Sequence, residues 1–128
     1  MKKQMRNKGM TLVELIITIA IIAVLVGFMA PQYLKYVHNT KVSVDIRNAQ
    51  AIAKACDVAF AAGTAGYEAG DSPTVLPDGQ SFPAAAVNGS TNWNVTIGSA
   101  GVSSITLDGM AIYPEPKVTG GYYDVLYR

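Results

Sequence analysis

Hydrophobic residues are concentrated in one run near the start of the chain. Nearly every position from Leu12 to Ala30 is apolar, and the residues ahead of this run include Lys2, Lys3, Arg6 and Lys8. Such a pattern suits a signal peptide, a membrane anchor or a buried core helix. A helix over Met10–Ala30 would be about 30 Å long, which is the thickness of the apolar part of a bilayer. A cleavable signal peptide has a shorter apolar region, so we expect an anchor whose basic end stays in the cytoplasm.

The helical pattern continues beyond the apolar run. One apolar line recurs every seven residues, and other apolar residues widen it: Val37, Val44, Ala51 and Val58, with Leu34, Ile52, Ala55, Ala59 and Ala62. A second line lies well round the helix and consists of Ile46, Ala49, Ala53 and Phe60. Glycine-containing sequence follows at Gly63, so the pattern predicts one helix over 10–62, about 80 Å long, whose C-terminal half buries a face against a sheet.

The rest of the chain has a different pattern. Residues 63–91 are rich in Gly, Pro, Ser and Thr, which predicts a long loop that packs on the domain surface. Apolar and polar residues alternate from Trp93, and Gly98–Gly101 and Asp108-Gly109 are turn signals. The closing Tyr-Tyr-Asp-Val-Leu-Tyr-Arg predicts a last strand. The expected fold class is therefore α+β, a long helix packed on three or four antiparallel strands within 92–128.

Composition and charge exclude several functions. Residues 1–9 carry four of the ten positive charges and none of the nine negative ones, so the remainder has a net charge of −3. The sequence has no cluster of basic residues of the kind that predicts nucleic-acid binding. Cys56 is the one cysteine and is read as a buried helix residue, and a lone His38 offers no metal-ligand set. Asp108 and Asp124 are weak candidates for a calcium site. We expect no catalytic residue, metal or cofactor.

Glu14 is the one acidic residue inside the apolar run. The apolar residues around it favour insertion by roughly 4–7 kcal/mol, against a cost of about 3 kcal/mol for a charge in mid-membrane. The segment therefore inserts despite Glu14, but insertion does not explain it. Ionisable residues in membrane segments usually have a partner and a function. A simpler alternative is a carboxylate stabilised by the dipole at the helix start.

The N-terminal sequence resembles that of bacterial type IV pilins and of the related pseudopilins of type II secretion and competence systems. The resemblance lies in the basic residues, Lys-Gly, Met-Thr-Leu-Val-Glu, the apolar run and Pro31, and it covers residues 8–31. It implies that a prepilin peptidase cuts between Gly9 and Met10, and that the new amine of Met10 is methylated. The family usually has Phe where Met10 stands.

The resemblance also implies roles for residues within the helix. Glu14 would pair with the N-terminal amine of a neighbouring subunit as it joins a filament, and opposite charges attract strongly in an apolar medium. Pro31 removes a backbone donor to the carbonyl of Gly27. We therefore expect a bend here in the isolated subunit and partial unwinding over Val24–Pro31 in the filament. The implied parts are a leader (1–9), a membrane and filament-core helix (10–35) and a head (36–128), together ladle-shaped.

The leading functional hypothesis is a major pilin, a structural subunit that polymerises into a type IV pilus for adhesion, twitching motility or DNA uptake. Its partners would be copies of itself, the prepilin peptidase and methyltransferase, and the pilus assembly machinery in the membrane. It would begin as a single-pass membrane precursor and end in a surface filament. The alternatives are a pseudopilin of a secretion or competence system, which shares the N-terminal features, and a monomeric membrane-tethered binding module.

Overall fold

A computed structural model describes residues 11–117 and 119–126 of the chain. The chain divides into two compact units, one up to Tyr36 and the other from Val37 onward. The first unit is helical where it is described, and the second contains the rest of that helix and a sheet. A long helix and a small antiparallel sheet confirm the predicted α+β class.

Helix α1 spans Leu12–Ala61, 50 residues with Pro31 inside it. The helix continues without a break through Pro31. The end is a Schellman motif, in which the N–H of Thr64 donates to the carbonyl of Ala59 (2.9 Å) and the N–H of Gly63 to that of Phe60 (3.1 Å). Gly63 has φ +68°, a conformation that glycine adopts without strain. The helix therefore ends where the sequence predicted.

The sheet has three antiparallel strands in the order β1-β2-β3: β1 (Trp93–Gly98), β2 (Gly101–Leu107) and β3 (Met110–Tyr113). Trp93 pairs with Leu107, and Leu107 pairs with Met110 across the second turn. Asp108 (φ +52°) and Gly109 (φ +81°) form that turn, because two central residues with positive φ match the twist of a tight hairpin. Both predicted turns are confirmed.

The predicted last strand is wrong. Tyr122–Leu126 forms a short helix, α2, which lies against β3. Two interactions favour the helix over a strand. The N–H of Gly120 donates to Oδ2 of Asp124 (3.0 Å) just ahead of α2, and the Tyr122 side chain is completely buried. The sheet accordingly ends at Tyr113.

The second half of α1 buries one face against the sheet and the loop. The buried residues on this face are Val42, Asp45, Ala49, Ile52, Ala53, Cys56 and Ala59. It contains part of the second apolar line and leaves most of the seven-residue line outside, since Val44 is 40% exposed and Val58 70%. The face includes the small residues Ala49, Ala53 and Ala59, which share the hydrophobic core with residues of the sheet and the loop. Burial raises the pKa of the Cys56 thiol, which is inaccessible to solvent.

The loop over 63–91 packs on the domain as predicted. Tyr67, Phe82 and Ala85 enter the hydrophobic core, and the Trp93 ring N–H donates to the carbonyl of Pro83 (2.7 Å). Part of the loop runs along the free edge of β1. The N–H of Gly70 donates to the carbonyl of Ile97 (2.8 Å), and the N–H of Ile97 donates to the carbonyl of Asp71 (3.1 Å).

Asp45 is a charged residue inside this core and is fully buried. Its carboxylate accepts hydrogen bonds from the Tyr122 hydroxyl (2.5 Å) and from the N–H groups of Ala86 (2.5 Å) and Val87 (3.2 Å). It thereby joins α1 to the loop and to α2. A second tie to α2 comes from His38, whose Nε2 lies 2.5 Å from the carbonyl oxygen of Leu126. A carbonyl only accepts, so this nitrogen carries the proton. We call these two ties the C-terminal clasp.

Candidate functional site

The start of α1 is a capping box built from Thr11 and Glu14. The N–H of Thr11 donates to Oε2 of Glu14 (3.0 Å), and the N–H of Glu14 donates to Oγ1 of Thr11 (3.2 Å). The sequence signal for this motif is Thr-x-x-Glu ahead of an apolar run. The two side chains accept hydrogen bonds from two backbone N–H groups that a helix start leaves without partners. Glu14 therefore has an intramolecular role in the single chain, close to the simpler alternative that the sequence left open.

The capping box leaves the Glu14 carboxylate able to accept further hydrogen bonds. A carboxylate accepts up to about four hydrogen bonds, and the capping box engages one of its two oxygens with a single backbone donor. Thr18 donates to the backbone carbonyl of Glu14 (2.7 Å) and leaves the carboxylate untouched. Gly9 and Met10, the predicted cleavage pair, lie outside the described residues.

The first unit exposes its apolar side chains. Large hydrophobic residues from Leu12 to Leu34 are 46–75% exposed. By length and composition α1 is able to cross a membrane. Exposure on this scale is unfavourable in water, at roughly 25 cal/mol per Å², so the segment needs lipid or other helices around it. Gly27 lies on this surface, and a Cβ built on it meets no atom within 4 Å. Pro31 lies one turn further on.

Asp108 and Asp124 have structural partners of their own. Asp108 accepts side-chain hydrogen bonds from Ser90 (2.6 Å), Asn88 (2.9 Å) and Asn92 (3.1 Å), and these bonds, led by that from Ser90, lower the pKa of its carboxyl. Asp124 accepts from Gly120, as described above. Within residues 11–117 and 119–126, no three His, Cys, Asp or Glu side chains are grouped as metal ligands would be.

Comparison with known proteins gives one result at the N-terminus. The prokaryotic N-terminal methylation motif matches residues 4–30. No curated protein and no solved structure matches the chain. The motif covers the predicted cleavage pair, Glu14 and the apolar start of α1. The chain thus carries the prepilin signal of type IV pilin-like proteins.

This signal and the long apolar helix indicate a type IV pilin-like or pseudopilin precursor. The motif implies processing by a prepilin peptidase and assembly into pili or pseudopili. It also fits a membrane-anchored precursor. Proteins with this motif are structural rather than catalytic.

Proposed function

We propose that the chain is a major pilin, which is cut between Gly9 and Met10, methylated on Met10 and polymerised into a surface filament. One observation carries the proposal. The second unit has its own buried core, whereas the apolar residues of the first unit are exposed all round the helix. Once a subunit leaves the bilayer, the same segments of other copies would cover that surface over its full length.

Glu14 would supply the register of this assembly. An apolar helix surface packs almost equally well at many axial positions, since dispersion and burial are non-directional. A buried carboxylate left without a countercharge is costly, and the methylated amine of a neighbouring Met10 is a cation of the right sign. On joining the filament, Glu14 would exchange its bond from Thr11 for that amine. Pro31 and Gly27 would allow the helix to unwind locally as the helices pack.

The capping box allows the charge and the cap to be separated. Glu14→Gln keeps a Thr-x-x-Gln box and removes the charge, whereas Thr11→Ala removes the cap and keeps the charge. If pairing with the amine drives assembly, Glu14→Gln abolishes filaments while membrane levels stay normal. Thr11→Ala costs only about 1 kcal/mol of helix stability, and we expect it to assemble. The opposite pattern would assign Glu14 to the helix start alone.

The direct test is to shear intact producing cells, pellet the filaments and determine the subunit's N-terminus by mass spectrometry. We expect sheared filaments of chains that start at methylated Met10. Processed chains confined to the cell envelope, with none sheared off, would instead identify a pseudopilin. Chains that still start at Met1 and stay monomeric would identify a tethered binding module and contradict the proposal.

A further inference from the structure

A groove lies between the outer face of α1 and the C-terminal part of the head. It has two adjoining halves of about 460 and 500 Å³, which share Arg47 and Gln50. Three cations line it, Arg47, Lys54 and Lys117, and no carboxylate is among the lining residues of either half. We call it the basic groove.

Aromatic side chains give the groove a defined shape. Tyr113 of β3 lines one half, and Tyr123 of α2 lines the other with its ring under the ammonium of Lys117, 4.9 Å from ring centre to Nζ. This cation–π contact holds Lys117 in place. Arg47 lines both halves, and its planar guanidinium is suited to bind a carboxylate through two hydrogen bonds. The groove is therefore built to take an acidic segment.

The same head carries an acidic segment at its opposite edge. Residues 68–71, which we call the edge segment, lie along the free edge of β1, whereas the basic groove lies on the β3 side of the sheet. Glu68 is exposed. Asp71 is half-buried, and its carboxylate accepts from the backbone N–H of Glu68 (2.8 Å), which fixes the turn. Glu68 is thus free to project a carboxylate from a rigid turn.

We propose that the basic groove of one copy binds the edge segment of the next, with Arg47 paired to Glu68. Complementary surfaces on opposite edges of one molecule form a head-to-tail contact, which leaves a free surface at each end and repeats without limit unless it closes into a ring. Such a contact suits a helical filament and rests on the proposed function. Charge complementarity also disfavours wrong registers, because like charges across an interface repel.

The test exchanges the two charges in the full-length chain, produced in cells that assemble wild-type filaments. Arg47→Glu and Glu68→Arg each bring like charges together, and we expect either to lower the yield of sheared filaments by about tenfold or more. The double variant restores the pair and should recover most of that yield. Lys41→Glu is the matched control, since it makes the same charge change on an exposed part of α1 outside the groove.

Membrane levels and protease resistance of each variant show whether its head is folded. Normal yields from both single variants would overturn the groove contact, as would a folded double variant that fails to recover. An Arg47→Glu variant that assembles normally but loses retention on an anionic polymer resin would reassign the groove to a soluble polyanion. If wild-type cells form no filaments, the proposed function fails and the groove contact fails with it.

Discussion

Replacing Asp45 by alanine should be among the most damaging single changes in the head. The carboxylate is fully buried and accepts three hydrogen bonds, two from backbone N–H groups and one from Tyr122. Alanine leaves the buried Tyr122 hydroxyl and two partly buried N–H groups without an acceptor, and each unsatisfied buried donor costs about 1–3 kcal/mol. We expect a loss of roughly 3–6 kcal/mol, below the sum of the maxima because the Tyr122 hydroxyl can reorient. That is a large part of the 5–15 kcal/mol typical of a domain.

Tyr122→Phe should cost less, because the carboxylate keeps both backbone donors. A hydrogen bond to a charged group contributes about 1.5–3 kcal/mol, so we expect a loss in that range. The Asp45→Ala and Tyr122→Phe effects should not add, since the hydroxyl has no acceptor once Asp45 is gone. Asp78→Ala is the control. Asp78 is exposed and accepts one hydrogen bond from the N–H of Gln80, so its loss should cost under about 1 kcal/mol.

Urea denaturation of the full chain in detergent micelles measures these differences. Trp93 is the one tryptophan and is 7% exposed, so its fluorescence reports on unfolding of the head. A change below about 1 kcal/mol for Asp45→Ala would refute the reasoning, because it would fall within the range of ordinary surface substitutions. Full additivity of Asp45→Ala and Tyr122→Phe would show that the two side chains do not act as a unit.

Two further predictions concern pH and backbone geometry. The pKa of Tyr122 is raised, first by burial of its hydroxyl and then by Asp45, which accepts its hydrogen bond and carries a negative charge. Tyr122 therefore ionises more readily in the unfolded chain than in the folded one. Its contribution to the free energy of unfolding is full below the unfolded pKa of about 10 and falls as the pH rises above that value. Urea titrations on either side of that pH should show a smaller alkaline loss for Tyr122→Phe, and equal losses would contradict the assignment. At Gly101 (φ +116°) a Cβ would lie 2.5 Å from Oδ1 of Asp57. Gly101→Ala should cost more than the 1–3 kcal/mol of backbone strain alone, whereas Gly109→Ala meets no atom within 4 Å and should show strain only, as thermal unfolding would reveal.

Local patterns predicted most of the regular structure. The end of α1, the three strands and both turns follow from the apolar periodicity and the positions of glycine. The buried face of α1 did not, because it combines residues of two competing apolar lines, Ala49 and Ala53 from one and Ile52 from the other. Helix α2 did not either. Its two tyrosines and Val125 are residue types that are common in strands, and the contact of Tyr122 with Asp45, far away in sequence, overrides that local preference.

Of the functional residues, too, some could be recognised from the sequence and others could not. Glu14 was recognisable as unusual because a charge interrupts an apolar run, and its Thr-x-x-Glu setting is readable as a cap. Asp45 gave a weaker signal, since its spacing from Val42, Ala49 and Ile52 places it on the buried face only once that face is known. The proposed partner of Glu14 is beyond any single chain, because it would be the amine of another copy.

The C-terminal clasp has a consequence for where the head is able to fold. Its ties are hydrogen bonds between Asp45 and Tyr122 and between His38 and Leu126, and Cys56 is buried as a thiol. Closing the C-terminus onto α1 therefore requires neither an oxidant nor a thiol-disulfide isomerase. The head should reach its native state equally well in an oxygen-free habitat, in an oxidising one or in a reducing cytosol. A tie of this kind also re-forms spontaneously if mechanical load pulls α2 away from α1.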